Sequence, residues 1–122
     1  MDKLSVVIIT FNEEKNILRC LESVKPIADE VVVVDSHSTD TTVKICELQG
    51  ARVLQHDWMG FSKQKNWANH QASYDWIFSI DADEALSPLL CEAVLKHKRH
   101  GFQGAYSMHR LTDFTGRWIH HC

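Results

Sequence analysis

Leu4 to Thr10 is a continuous apolar, β-branched run interrupted by one serine. Such a run predicts a strand buried on both faces, since a strand with one wet face alternates with polar residues. Helices must then cover it from both sides, and the rest of the chain offers them in alternation with further strands. Ile17, Leu18, Leu21 and Val24 recur at helical spacing and stop at Lys25-Pro26. Glu13 and Glu14 stand where a helix N-terminus favours acids. Glu30 to Asp35, with four valines in a row, predicts a second strand. Ser36 to Thr39 is a polar turn, and Ser38 or Asp40 is placed to cap a helix carrying Val43, Ile45, Cys46 and Leu48. Gly50 closes that helix.

Arg52 to Gln55 predicts a short third strand, His56 to Ser62 a loop, and Gln64 to Ala72 a helix. Asp75 to Ile80 predicts the fourth strand. Ser87-Pro88 offers an N-cap followed by proline at the first helical position. Leu89, Leu90, Ala93, Val94 and Leu95 line the helix that follows, Gly101 ends it, and Ala105 to Arg110 is a candidate fifth strand. The alternation predicts an α/β fold with right-handed crossovers and a mostly parallel sheet covered by helices on both faces. One domain over residues 1–122 is the expected organisation, since 122 residues suffice for one core and not two. Gly116 to Cys122 is bulky with nothing after it to pack against, so the chain is expected to be truncated.

The charge balance is 13 basic against 16 acidic side chains, a formal net charge of −3, which excludes the basic excess of a nucleic-acid binder. The apolar runs Val6 to Ile9 and Val31 to Val34 fall far short of the roughly 20 residues of a membrane span. The N-terminus shows no export signal, so a cytoplasmic location is expected. Cys20, Cys46 and Cys91 then read as small buried hydrophobes on helices, not disulfide partners.

Ligands of open parallel sheets bind beyond the carboxyl ends of the strands. Thr10, Asn12 and Glu13 follow the first strand, Asp35 ends the second, and Asp81, Asp83 and Glu84 follow the fourth. There is no G-x-G-x-x-G after the first strand and no G-x-x-x-x-G-K-[ST], which argues against a nicotinamide dehydrogenase and a P-loop NTPase. A phosphate-binding site without either needs another source of positive charge. Asp81 and Asp83 can hold a divalent cation such as Mg²⁺, which takes one or two carboxylates plus phosphate oxygens. Taken alone, the same acids read as a helix-capping turn, Asp35 as a turn former and Lys65 as a solvated helix residue.

Four segments together resemble the family-two glycosyltransferases: Val6 to Glu14, Val34 to Asp40, Lys65-Asn66-Trp67-Ala68, and Asp81-Ala82-Asp83-Glu84 in the place of the DxD motif. Gly60-Phe61 to Ala68, Asp75-Trp76 to Glu84 and Gly116 to Ile119 resemble the lipopolysaccharide-core β-glucosyltransferase branch. The resemblance implies the Rossmann-like GT-A fold and metal-assisted, inverting transfer of a hexose, glucose by the branch. The donor is a UDP-sugar and the acceptor a glycan or lipid-linked sugar. It implies that Thr10, Asn12 and Glu13 line the nucleotide pocket and that Asp35 hydrogen-bonds the base. Lys65 approaches the base or diphosphate, Asp81 and Ala82 contact the donor, and Asp83, with Asp81, ligates Mg²⁺ or Mn²⁺. The family's catalytic base and acceptor half lie further downstream, and Asp113 is the sole acid after residue 92. The chain is therefore expected to be the donor-binding part, without the base and with weak or no transferase activity.

The basic run Lys96 to His100 reads as a partner for the helix dipole. Its second reading is contact with an anionic membrane surface, which would place the protein at the inner membrane. His109, His120, His121 and Cys122 do not match a zinc spacing. Trp58, Phe61 and Trp67 offer a sugar platform or core packing, the latter favoured for Trp67. Rival readings are a non-catalytic nucleotide-sugar-binding module, a phosphoacceptor receiver domain, and a haloacid dehalogenase-type phosphatase. A receiver needs a phosphorylated Asp after strand three, which here ends at Gln55-His56-Asp57, and a Lys after the fifth, where Arg110 is the nearest base. The phosphatase carries its Asp-x-Asp after the first strand, not the fourth.

Overall fold

Leu4–Thr10 forms strand β1, the middle strand of a five-stranded sheet. The computed structural model describes residues 3–100 and the strand at 119–121. The elements run β1, α1 (Ile17–Val24), β2 (Glu30–Asp35), α2 (Thr42–Leu48), β3 (Arg52–Gln55), α3 (Phe61–His70), β4 (Trp76–Ser79), α4 (Pro88–His100) and β5 (Ile119–His121). The strand order is β3-β2-β1-β4-β5. The first four strands are parallel, and β5 joins β4 antiparallel.

The two-faced burial expected of β1 is met by two separate apolar layers. Leu4, Val6 and Ile8 pack with Ile17, Cys20, Leu21 and Val24 of α1, Cys46 of α2 and Val94 of α4. Val7 points the other way, joining Val32, Val34, Ile77 and Ala68 of α3. Successive strand residues alternate between these layers because the pleat has a period of two. α3 lies apart from the other helices for a topological reason. The chain steps outward from β1 to β2 to β3, then returns to place β4 on the far side of β1. A right-handed crossover that reverses direction puts its helix on the opposite face. The serine within β1 is accommodated because Ser5 Oγ donates to Glu30 Oε1 at 2.9 Å.

Several expected details are corrected. Glu13 and Glu14 precede α1 instead of opening it: the amides of Asn16 and Ile17 both bond to the Glu13 carbonyl in a turn. α3 begins at Phe61, not Gln64, because Gly60 at φ +90° turns the chain straight into the helix, and it ends at His70. Leu48 and Leu89 face solvent at 74% and 71% exposure, while Thr42 and Lys98 take inward positions. The proposed strand at 105–110 and the stop at Gly101 lie outside the described residues. Within the bulky end, Ile119–His121 join the sheet as β5, pairing Ile119 with Phe78, His120 with Ile77 and His121 with Trp76.

The basic run is not one solvated face. Lys98 is buried, and its Nζ donates to the Ile27 carbonyl at 2.8 Å and to Asp29 Oδ2 at 2.7 Å. Asp29 also accepts from the Leu4 amide at 2.8 Å, so one ion pair ties α4 to the start of β1. Lys98→Met keeps the stem's packing and removes both hydrogen bonds. It is expected to lower stability by about 2 kcal/mol, the scale of a lost hydrogen bond to a charged group, read from urea unfolding midpoints.

Candidate functional site at the carboxyl rim of the sheet

Strand order reverses between β1 and β4, and the crevice beyond the carboxyl ends there is where open α/β sheets take ligands. The loops after β1, β2 and β4 meet at this rim. The first two are laced together. Asn12 N–H donates to Ser38 Oγ at 2.7 Å, and Asn12 Oδ1 accepts from the Thr39 amide at 2.8 Å. Glu13 N–H donates to Thr42 Oγ1 at 2.8 Å. Glu14 Oε2 accepts from Thr41 Oγ1 at 2.7 Å. Asp40, not Ser38, accepts from the first amide of α2, with Asp40 Oδ1 2.9 Å from Thr42 N. Asn12 and His37 both hold left-handed φ, at 50° and 57°. Asn and His tolerate that region better than most residues, and the hydrogen bonds of Asn12 hold it there. His37 is held by its amide on Gln55 Oε1 at 2.9 Å and its ring on Asp57 at 2.6 Å.

Asp35 lies beneath these loops, fully buried. Its carboxylate accepts four hydrogen bonds: Thr10 Oγ1 at 2.6 Å, Ser38 Oγ at 2.6 Å, the Ser38 amide at 2.8 Å and Gln55 Nε2 at 3.0 Å. Burial pushes its pKa up, but the donors Ser38, Thr10 and Gln55 outweigh burial and hold it below the ordinary carboxylate value. A carboxylate offers about four acceptor positions, so direct bonding of a base to Asp35 requires one of these donors to leave.

The acidic turn after β4 is anchored from within. Ala82 is buried in the core, which turns its side chain away from any ligand and sends the flanking acids outward. Asp81, Asp83 and Glu84 each bring a carboxylate oxygen into a group whose members all lie within 4.8 Å of one another. An all-oxygen set of this kind suits a hard divalent cation such as Mg²⁺ or Mn²⁺. α1 clamps the turn's backbone: Arg19 donates to the Asp83 carbonyl at 3.1 Å, the Cys20 thiol to the Asp81 carbonyl at 3.6 Å, and the Leu86 amide to Ser23 Oγ at 2.9 Å. Burial, with the nearby charges of Cys46 and Asp81, pushes the Cys20 thiol up to about 12 and keeps it a donor. Lys65 on α3 reaches across the crevice, its Nζ 3.4 Å from Asp81 Oδ1.

At the carboxyl ends of β1 and β2 lies a cavity of about 470 Å³ lined by Ile9, Thr10, Phe11, Glu13, Ser36, Trp58 and Phe61. Trp58 and Phe61 meet edge to face with centroids 4.9 Å apart. Trp67 instead leans on the second core layer and against the His56 ring. Thr10, Glu13 and the aromatic pair thus share one concavity, while Lys65 meets Asp81 of the acidic group. Phe61 and Lys65, four residues apart, lie on one face of α3. Sequence reasoning missed Arg19, Gln55 and Gln64. Gln64 alone left a signal, a polar residue four before Ala68 on the buried row of α3.

The Glycosyl transferase family 2 model matches residues 5–121. An uncharacterized glycosyltransferase of Rickettsia felis is 50% identical over 94 residues, covering 77% of this chain and 33% of its own length. The lipopolysaccharide core biosynthesis glycosyltransferase LpsC of Rhizobium meliloti is 40% identical, covering 73% of this chain and 34% of its own. The chain thus spans about a third of the length of these relatives. Among solved structures, the Mycobacterium tuberculosis glucosyl-3-phosphoglycerate synthase with Mn²⁺, UDP and glucosyl-3-phosphoglycerate superposes with a TM-score of 0.63. It is 26% identical, covering 83% of this chain and 41% of that one.

The Asp35 geometry generates a pH prediction. Its pKa is lowered in the folded chain, so its contribution is fully present above the unfolded value near about 4 and is lost as pH falls through the folded value. Asp35→Asn is expected to cost about 2 kcal/mol at pH 7. That gap should narrow below about pH 4, as urea unfolding at pH 7 and pH 3 would show.

Proposed function

The chain belongs to glycosyl transferase family 2, and we propose that it forms the nucleotide-sugar donor site of a metal-assisted, inverting hexosyltransferase. The observation that carries this reading is the carboxylate group of Asp81, Asp83 and Glu84 facing Lys65 across the sheet's switch point. Acids at a phosphate site repel the ligand unless a cation lies between them. Asp83 and Asp81 are the ligands proposed for Mg²⁺ or Mn²⁺, and the donor set is of the right hardness. When bound, such an ion stabilises the negative charge of the departing nucleoside diphosphate.

The chain's own residues do the rest. Lys65, which pairs with Asp81 here, would turn to the diphosphate when the donor is bound. Thr10 and Glu13 wall the nucleotide pocket. Asn12 and Asp35 act from behind it, by holding the loops that form its floor. Ala82 contributes through its backbone. UDP is the preferred nucleotide because the similar synthase was crystallised with it. A glycan or lipopolysaccharide-core acceptor is supported by the likeness to LpsC. Glucose as the sugar, and inversion at its anomeric carbon, follow from the family branch that the motifs resemble. No general base is assigned among the described residues. No helix among them is long and apolar enough to cross a membrane, and peripheral contact through the exposed Lys96 and Arg99 remains part of the proposal.

Calorimetric titration of UDP tests the reading. Binding is expected with Mn²⁺, to weaken at least about tenfold with chelator, and to weaken about as much in Asp83→Ala, since ligand loss removes the charge that offsets the diphosphate. A folded sample that binds UDP equally well without metal, or not at all, overturns it.

A further inference from the structure

Donor and acceptor roles around Gln64 can be assigned by elimination. The His56 ring nitrogen Nδ1 lies 2.9 Å from the Asp57 carbonyl, which only accepts, so Nδ1 carries the proton. The same N–H lies 3.2 Å from Gln64 Oε1, which therefore accepts from it. The other end of the Gln64 amide, Nε2, then donates to Ser36 Oγ at 2.9 Å, and its 3.4 Å approach to the His56 carbonyl agrees with that orientation. Gln64 is fully buried, and the His56 ring is held against Trp67 with centroids 4.0 Å apart, so the chain of roles is fixed in place. Ser36 Oγ is thereby an acceptor within the protein, and its own proton has no acceptor among the described residues. Ser36 lines the aromatic-walled cavity.

The neighbouring polar groups are already committed. The proton of Thr10 Oγ1 goes to Asp35, and all four acceptor positions of Asp35 are taken. We propose that Gln64 is a positioning residue that turns the Ser36 hydroxyl proton into this cavity, where Ser36 reads a carbonyl oxygen of the donor's nucleobase. The base lies against the Trp58 and Phe61 pair. A pyrimidine such as uracil fits, having a flat face for the aromatic wall and ring carbonyls at its edge. Asp35 serves the base indirectly, by fixing the loop that carries Ser36. This inference rests on the donor-site reading above.

The test is a double-mutant cycle in UDP affinity, with Mn²⁺ present and thermal melting as the fold control. Ser36→Ala removes the donor and is expected to weaken UDP about fivefold, the scale of one neutral hydrogen bond. Gln64→Glu replaces the amide donor with a carboxylate acceptor, drawing the Ser36 proton away from the cavity while still accepting from His56. It is expected to weaken UDP about as much. The double variant should lose no more than either single one, because Gln64 acts through Ser36. If Gln64→Glu does not fold, Gln64→Met replaces it in the cycle, with an expected loss of about twofold that vanishes in the Ser36→Ala background. Unchanged UDP affinity in Ser36→Ala, or additive losses, overturns the inference and leaves the donor site standing. Absence of UDP binding by the folded wild-type chain overturns both.

Discussion

The site depends on one buried carboxylate. Asp35 ends β2 beneath the rim and gathers donors from β1, from β3 and from the loop that opens α2. Strand pairing alone aligns the strands but says nothing about the loops beyond them. Asp35 extends the order outward: with Ser38 held, Ser38 Oγ can receive the Asn12 amide, and the two loops close on each other. A buried charge is tolerable only when its acceptor positions are filled, and here the filling is what shapes the cavity floor.

Two helices on opposite faces deliver the rest. α1 grips the backbone of the acidic turn through Arg19, Cys20 and Ser23, leaving the carboxylates outside. α3 approaches from the other face and carries three functions in five residues. Phe61 walls the cavity, Gln64 holds Ser36, and Lys65 meets Asp81. The reversal of strand order at β1 makes this possible, because it sends the two helices to opposite sides of one crevice. The candidate site thus lies where the chain changes direction.

Much of this is legible in the sequence alone. β1, β2 and β3 span the expected residues, and for β1 and β2 the reason is that a strand buried on both faces allows few polar residues. The acids at Asp81, Asp83 and Glu84 were expected at the rim and lie there. The misses have physical causes. Leu48 looked inward by type and faces solvent, since Thr42 and Cys46 already fill that side of a seven-residue helix. Lys98 was expected to serve the helix dipole within a basic run and is instead buried, because Asp29 and the Ile27 carbonyl, distant in sequence, compensate its charge. β5 escaped notice because a three-residue edge strand has too short a pattern to read.

By itself the sequence determined the layered α/β architecture, the family and the rim on which chemistry-bearing residues collect. These follow from local periodicity and from motif order, both written along the chain. Only the tertiary structure decided which polar groups are already satisfied and which are presented to a ligand. Thr10, Asn12 and Asp35 look like ligand-binding residues in a string of letters. Their partners Ser38, Thr39 and Gln55 lie about 20 or more residues away, or in the case of Ser38 and Asp35 only three. Hydrogen-bond satisfaction is a property of contacts in space, so it had to wait for the fold.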